Sequence, residues 1–441
     1  MRLLHLCMVL ILAAAPAAAE TLDELTRVTE LIEDGRHGLA RAYLDPLVID
    51  PTITGAQRSR AYYYRGFSFF AQALWVSAAQ DYARALEFDT GNASAQSALA
   101  HLFAEGLGVD KDMAEAFRLS IMAARGGHAP SKFFVGHALL TGLGVEADVD
   151  KARYWLQEAS DAGQLPALLQ LARSYRAPYA AEPDLEEARR LYELAASRGA
   201  TEAFSALGFM ALAGELGETG EIDEQRAAEL FERAADGDSA VGQAALAHLY
   251  ASARGVPRDY AKARTLYERA SRQDYAPGFT ALGHLYEQGL GVSSDPTQAR
   301  RYYRRGAELG DAAAQLRLAE LAMQRGSRDG AREAIAWYQA AAEQGNTIAQ
   351  NGLAWLLATT RFDELRNSHA ALEAAQLAVD GARSASTLDT LAAAYAEAGR
   401  FDQALVVQRE ALAAVAVHEA HLAPELEARL DAYEHETAWR E

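Results

Sequence analysis

The sequence predicts an all-α protein, an α-solenoid of stacked helix-turn-helix repeats. Residues 240–275 and 276–311 repeat one another with an offset of 36 residues, and a fixed period of 20 to 50 residues is typical of a stacked repeat array. A glycine-containing turn also recurs between apolar stretches of helical spacing. The composition, with 50% hydrophobic and 23% charged residues in a chain of 441, suits packed helices rather than disorder. The residue pairs at this offset are Leu246 and Leu282, His248 and His284, Tyr250 and Tyr286, Gly255 and Gly291, Asp259 and Asp295, Ala263 and Ala299, and Tyr267 and Tyr303.

Each repeat is predicted to contain two helices. In the 276–311 copy, the first helix has an apolar stripe at helical spacing that includes Leu282 and Leu285. Gly283 interrupts this stripe, and because a glycine inside a helix costs about 1 kcal/mol relative to alanine, we expect a neighbouring helix to approach closely there. The turn at 289–292 ends the first helix. Asp295 is the expected N-cap of the second helix.

Residues 1–19 are predicted to be a signal peptide that is cleaved after Ala19. Arg2 supplies a positive start, residues 3–15 are mostly apolar, and three alanines precede the cleavage point. The apolar run is too short to cross a membrane as a helix. The alternative is a buried amino-terminal helix. The pattern favours export across a bacterial inner membrane into the periplasm.

Composition excludes several classes of function. Cys7 is the only cysteine and lies in the signal segment, so the mature chain is expected to lack cysteine catalysis, disulfides and thiolate metal sites. The formal net charge of −19 disfavours a nucleic-acid or anionic-membrane partner, because both require clustered positive charge. An acidic surface favours a partner with a basic patch.

The segment 20–92 is predicted to contain a pair of packed helices between residues 61 and 90. The residues that carry this pattern are Tyr62, Gly66, Phe69, Ala78, Tyr82 and Ala85. Their spacing resembles a tetratricopeptide repeat, and an earlier, weaker copy is predicted in residues 22–51. The segment departs from that family at Arg65, where an aliphatic residue is usual, and at Thr90, where proline is common.

The central array occupies residues 93–346 and contains seven copies. We call the recurring apolar residue of each first helix the anchor; the anchors are Leu99, Val135, Leu171, Leu207, Leu246, Leu282 and Leu318. The glycine turn recurs at 106–109, 142–145 and 289–292. These copies resemble Sel1-like repeats, relatives of the tetratricopeptide repeat with a longer turn. The resemblance implies a right-handed α-solenoid in which the first helices line a concave groove.

Two copies of the array depart from the pattern in their turns. The copy at 165–200 has residues 176–179 in place of the glycine turn, and the copy at 201–239 carries three extra residues between 214 and 224. Insertions in repeat arrays map to loops, often on the binding side.

The carboxyl-terminal part is predicted to be less regular. Residues 347–384 are assigned to a degenerate repeat. Residues 385–441 are assigned to a tetratricopeptide-like repeat followed by a charged capping helix at 422–439, because repeat arrays need a polar outer end.

The residues predicted to line the groove lie two positions after each of the seven anchors and at the equivalent place of the degenerate repeat at 347–384, and we call them the groove positions. They are His101, His137, Arg173, Phe209, His248, His284, Glu320 and Trp355. Two adjacent pairs are histidines, so a shared ion or a pH response is one hypothesis for each pair. The other is that duplicated repeats simply carry a duplicated polar surface residue.

The sequence predicts no catalytic residue, no cofactor and no metal ligand. The Gly-x-Gly turns follow no strand and lack the Lys-Ser/Thr of a phosphate-binding loop. His418 and His421 are three residues apart, which differs from the His-Glu-x-x-His of zinc proteases. The predicted function is a non-enzymatic scaffold that binds a protein or peptide partner on the concave surface. The resemblance implies a sensor-kinase outer domain or an envelope assembly component as that partner. The alternative is a hydrolase or a small-molecule or metal-binding protein of the cell envelope.

Overall fold

The computed structural model describes residues 22–217, 220–415 and 421–441, with side chains from residue 27 onward. The predicted signal peptide, Cys7 and the 418–420 stretch lie outside the described residues. Within the described ranges all regular secondary structure is helical, which confirms the all-α repeat fold. None of the described helices is long and apolar enough to cross a membrane.

The chain divides into two compact units, Met1–Ile222 and Asp223–Glu441. The described helices of the first unit are α1 (Leu22–Glu33), α2 (His37–Ile49), α3 (Gly55–Ala71), α4 (Trp75–Phe88), α5 (Ala93–Glu105), α6 (Met113–Arg125), α7 (Ala129–Thr141), α8 (Val149–Asp161), α9 (Leu165–Ser174), α10 (Leu185–Ser197) and α11 (Thr201–Leu212).

The second unit continues the same alternation. Its described helices are α12 (Glu224–Asp236), α13 (Ala240–Ser252), α14 (Tyr260–Ser271), α15 (Ala276–Gln288), α16 (Pro296–Glu308), α17 (Ala312–Met323), α18 (Arg328–Ala342), α19 (Thr347–Thr359), α20 (Ser368–Gly381), α21 (Ala385–Glu397), α22 (Phe401–Ala413) and α23 (Ala423–Glu434). A short 3-10 turn at Asp363–Leu365 joins α19 to α20.

Within each unit the core is formed between successive helices. All seven anchors are buried, from Leu99 in α5 to Leu318 in α17. In α15, Leu282 and Leu285 pack into one cluster with Tyr267 of α14. Gly283 confirms the expected close approach, since an added Cβ would lie 2.7 Å from the Tyr303 ring of α16. The apolar stripe of each first helix therefore packs both on its own second helix and on the preceding repeat.

The second glycine of each Gly-x-Gly turn sets the distance between neighbouring repeats. Gly291 has a φ of +69°, and a Cβ added to it would lie 2.5 Å from the Cβ of Tyr260, the first residue of α14. Gly108 and Gly144 make the same contact with Trp75 and Met113, which begin α4 and α6. A side chain in this position would force the turn away from the preceding repeat.

An aspartate caps the second helix in six consecutive repeats. In each, the Asp carboxylate accepts a hydrogen bond from the backbone N–H three residues later, which satisfies a donor that the helix leaves unpaired. The capping residues are Asp112, Asp148, Asp184, Asp223, Asp259 and Asp295. The N-cap expected at Asp295 is thereby confirmed.

The end of the second unit differs from the prediction. The capping helix expected at 422–439 is α23 and ends at Glu434, because the backbone at Glu436 takes a φ of +52°. Arg429 of α23 is buried and forms an ion pair of 2.9 Å with Asp389 of α21, which also accepts from Gln408. The residues after Glu436 leave the helix and contact α19 and α21. The predicted domain boundaries, including the tetratricopeptide-like assignments, stay a prediction.

Candidate partner-binding surface

The groove positions lie on the first helices, one side chain per repeat. Seven of them follow an anchor by two residues and therefore point about 200° around the helix from that buried residue, and Trp355 holds the equivalent place on α19. The anchors are uniformly aliphatic, whereas the groove positions carry five different side-chain types. We describe those of the two units separately.

In the first unit, His101 and His137 are the most enclosed groove positions. His101 is only 9% exposed, and its ring lies 5.7 Å from that of Phe70 in α3. His137 is half-buried, and its Nδ1 has no hydrogen-bond partner among the described residues. Burial lowers the pKa of His137, and the positive charge of Arg173 lowers it further. His101 therefore offers a partner little surface, and His137 is kept neutral.

Arg173 and Phe209 are the exposed groove positions of this unit. The Arg173 guanidinium lies over the ring of Tyr179, 5.3 Å from its centroid. Phe209 is 44% exposed, which is high for an aromatic side chain. An ion pair of 2.6 Å between Arg176 and Glu215 joins the two turns that depart from the repeat pattern, at 176–179 and 214–224.

In the second unit, His248 and His284 are exposed, and a charged network begins one turn after His284. Arg317 of α17 contacts Glu287 of α15 at 2.5 Å and Glu320 at 2.6 Å. Tyr303 donates a hydrogen bond of 2.9 Å to Glu287.

Glu287 is held ionised by this network. Burial opposes its ionisation, but hydrogen bonds from Arg317 and Tyr303 and the charges of Arg317 and His284 outweigh it and lower the pKa of the carboxyl. The structure thus brings together the groove positions His284 and Glu320 through Arg317 and Glu287. Sequence reasoning missed the last two because it followed one position per repeat.

Trp355 is the last groove position, and it is half-buried beneath the end of the chain. Its indole Nε1 donates a hydrogen bond of 2.9 Å to the Glu441 carboxylate. The Arg429 guanidinium lies 5.1 Å from the Trp355 ring and 5.6 Å from the Trp439 ring. The sequence contains one indication that the residues after α23 pack here, namely the aromatic residue Trp439 in an otherwise polar stretch.

A pocket of about 170 Å³ lies beside Trp355. Its walls are mainly apolar and come from α17, α18 and α19, from the residues that follow α19, and from Glu441. The lining includes Met323, Ala331, Leu356 and Phe362, together with Thr359, Arg361 and Glu441.

The chemistry available on these faces is that of recognition. Guanidinium, carboxylate, imidazole and aromatic groups project from helices whose other faces are packed in the protein core. Within the described ranges, no group of three or more His, Cys, Asp or Glu side chains is placed to hold a metal ion.

Comparison with known proteins identifies the repeat. Seven segments match the family described as Sel1 repeat, at residues 93–128, 129–164, 165–199, 205–239, 240–275, 280–311 and 312–346. The search of curated proteins gives no match.

Solved structures with similar folds were also found. The protective antigen c5321 of uropathogenic Escherichia coli is 24% identical over 87% of this chain and 81% of its own, with a TM-score of 0.47. A Sel1 repeat protein from Oxalobacter formigenes is 22% identical over 56% of this chain and 96% of its own, with a TM-score of 0.47. The immunity protein Pa5087 from Pseudomonas aeruginosa is 21% identical over 49% and 81%, with a TM-score of 0.38. The seven matched segments make up more than half of the 441 residues, and the chain therefore belongs to the Sel1 repeat family.

Proposed function

We propose that this protein is a non-enzymatic scaffold that binds a protein or peptide partner on the faces formed by its first helices. Sel1 repeats commonly mediate protein–protein interaction, and the family is generally non-enzymatic. The observation that carries the proposal is the contrast within each first helix. The anchors are all aliphatic and buried, whereas the groove positions carry five side-chain types and most are at least partly exposed. Uniform anchors serve stacking, and varied exposed side chains serve recognition.

The charge of the chain favours a partner with a basic patch. The formal net charge is −19, so association with a basic surface gains from long-range attraction. Rigid helical presentation lowers the ordering cost of binding. We propose that the protein acts in the bacterial periplasm, and that a sensor-kinase outer domain or an envelope assembly component is the class of partner.

Site-specific photo-crosslinking tests which face binds. A photoreactive residue is placed at each exposed groove position, Arg173, Phe209, His248 or His284, in the native bacterium. The controls are Tyr154 and Arg301, which are exposed on the second helices α8 and α16. We expect at least one groove position to capture a protein that neither control captures.

The captured partner is then tested with purified protein. Its affinity should fall at least tenfold on alanine substitution at the crosslinking position and should weaken with salt, because exposed charges are screened. Mass spectrometry of the same periplasmic material tests export, with Glu20 expected as the first residue. Equal capture from both faces would contradict the binding proposal, and an intact Met1 in periplasmic material would contradict export.

A further inference from the structure

Residues 437–441, which we call the return segment, cross two first helices as an extended peptide. Thr437 N–H donates to the Ala432 carbonyl at 2.9 Å, which turns the chain back after α23. Glu441 N–H donates to the Thr359 carbonyl, and Glu441 C=O accepts from Arg361 N–H, both at 2.9 Å. Because Glu441 donates to one residue and accepts from the residue two positions later, these backbone hydrogen bonds have the pattern of a parallel strand pairing centred on Thr360. The stretch after α19 therefore offers an edge to which an extended peptide can pair.

The side chains of the return segment occupy separate subsites. Arg440 forms an ion pair of 2.6 Å with Glu397 at the end of α21 and donates to the Ala358 carbonyl at 3.3 Å. The Glu441 carboxylate accepts from the Trp355 indole. Trp439 lies against the Arg429 guanidinium. Trp439, Arg440 and Glu441 thus contact a cation, an anion and a neutral hydrogen-bond donor, respectively.

These subsites are held in place by contacts with the rest of the second unit. Arg429 is fixed by its buried ion pair with Asp389. Glu397 is oriented by Arg366, whose Nε donates at 3.0 Å to the carboxylate oxygen that Arg440 does not use. Because each recognising group has a partner outside the return segment, the groove keeps its shape when the segment leaves.

The return segment fits this groove imperfectly. The Trp439 indole N–H is buried and has no hydrogen-bond acceptor among the described residues, and such a donor costs roughly 1–3 kcal/mol. Glu441 lines one side of the pocket of about 170 Å³ beside Trp355. A ligand that also fills this pocket can therefore make contacts that residues 437–441 do not.

We propose that this groove, formed by α19, α21 and α23, binds an extended peptide in which an aromatic, a basic and an acidic residue follow one another. The return segment occupies the groove in cis, and a partner segment of the same chemistry displaces it. This inference rests on the proposed function and names one of its sites. It also explains why Trp355, predicted to contact a partner, contacts the chain itself.

The test uses a fluorescent peptide with the sequence of residues 435–441, His-Glu-Thr-Ala-Trp-Arg-Glu, and the full chain. Arg440→Glu should release the return segment, because a second carboxylate beside Glu397 is repelled. We expect this variant to bind the peptide at least tenfold more tightly than the unmodified chain does, measured by fluorescence anisotropy. Adding Glu397→Gln to this variant should remove the gain in affinity, because the peptide arginine then has no carboxylate to pair with. Replacing the arginine of the peptide with glutamate should remove the gain for the same reason.

The matched control is Arg383→Glu. Arg383 is also an exposed arginine paired with a glutamate, Glu410, at 2.8 Å, but it lies away from the groove. It should leave peptide affinity unchanged. If circular dichroism shows that Arg440→Glu is unfolded, the double variant Trp439→Ala with Arg440→Ala replaces it, with the same expected gain.

A folded release variant that binds the peptide no better than the unmodified chain overturns the inference, as does an equal gain in the Arg383→Glu control. Photo-crosslinking at the exposed groove positions distinguishes failure of this inference from failure of the proposed function. If a partner is captured at those positions but the peptide does not bind, only the peptide-binding groove is disproved. If no partner is captured at those positions in the native bacterium, the proposed function is disproved.

Discussion

At the scale of single residues, glycine has two distinct tasks in this chain. Some glycines supply only a positive φ, as Gly310 does at +91° with no atom within 4 Å of an added Cβ. Others, such as Gly291, also let two backbones touch. The sequence shows the same letter in both places, and only the packing distinguishes them.

This difference predicts unequal costs for two similar substitutions. Gly310→Ala should destabilise by about 1 kcal/mol, the usual cost of a left-handed alanine. Gly291→Ala should cost about 2–4 kcal/mol, because overpacking against Tyr260 adds to the same backbone strain. Urea unfolding of both variants measures the difference. Equal midpoints would show that the turn does not rest on the preceding repeat.

His128 gives the stability a pH dependence. It is the N-cap of α7, where Nδ1 accepts from Ser131 N–H at 3.3 Å, and burial lowers its pKa from 6.5 to about 4. The neutral ring is therefore the folded form. Its stabilisation is complete above pH 6.5 and is lost progressively as pH falls towards 4.

Replacing this residue should remove part of the acid sensitivity. Asparagine keeps an N-cap acceptor but does not titrate. Between pH 7.5 and 4.5 the unmodified chain should lose about 2 kcal/mol more than His128→Asn does, with the partial exposure of the ring taken into account. Urea unfolding at the two pH values measures this, and equal losses would exclude His128 as the titrating group.

At the scale of elements, the regular repeats follow their sequence pattern more closely than the end of the chain does. Helices α5 to α17 contain every predicted anchor in a buried position. The helix predicted at 422–439 was wrong only after Glu434, because the pattern of apolar residues did not reveal the turn at Glu436. Residues after that point interact with α19 and α21, which are distant in sequence.

Two substitutions in α15 distinguish the face of the helix that is buried in the stack from the face that is exposed. Leu282→Asp in α15 places a charge in a site that is 1% exposed, so the repeats at 240–275 and 276–311 should lose amide-exchange protection together. His284→Ala changes an exposed side chain and should shift stability by less than about 0.5 kcal/mol. Hydrogen exchange and thermal melts measure both. An equal loss in the two variants would contradict the assigned helix faces.

At the scale of the whole molecule, each of the two units combines a uniform interior with a varied first-helix face. The net charge of −19 applies to the entire chain and influences which partners are attracted, whereas the groove positions influence which of them bind. The second unit contains its own bound peptide in the return segment. The first unit has no equivalent among its described residues, and its exposed Arg173 and Phe209 are the groove positions most open to a partner.

The sequence by itself determined the helical class, the buried anchor of each repeat in the central array and the capping of a second helix by Asp295, because these depend on spacing along one or two helices. Only the tertiary structure decided which groove positions are exposed, why His101 is enclosed by Phe70, and how Arg317 joins Glu287 to Glu320. It also placed Glu441 against Trp355, which lies 86 positions earlier in the chain. Contacts between residues so far apart in the chain depend on how separate helices pack, and a local pattern contains no information on that packing.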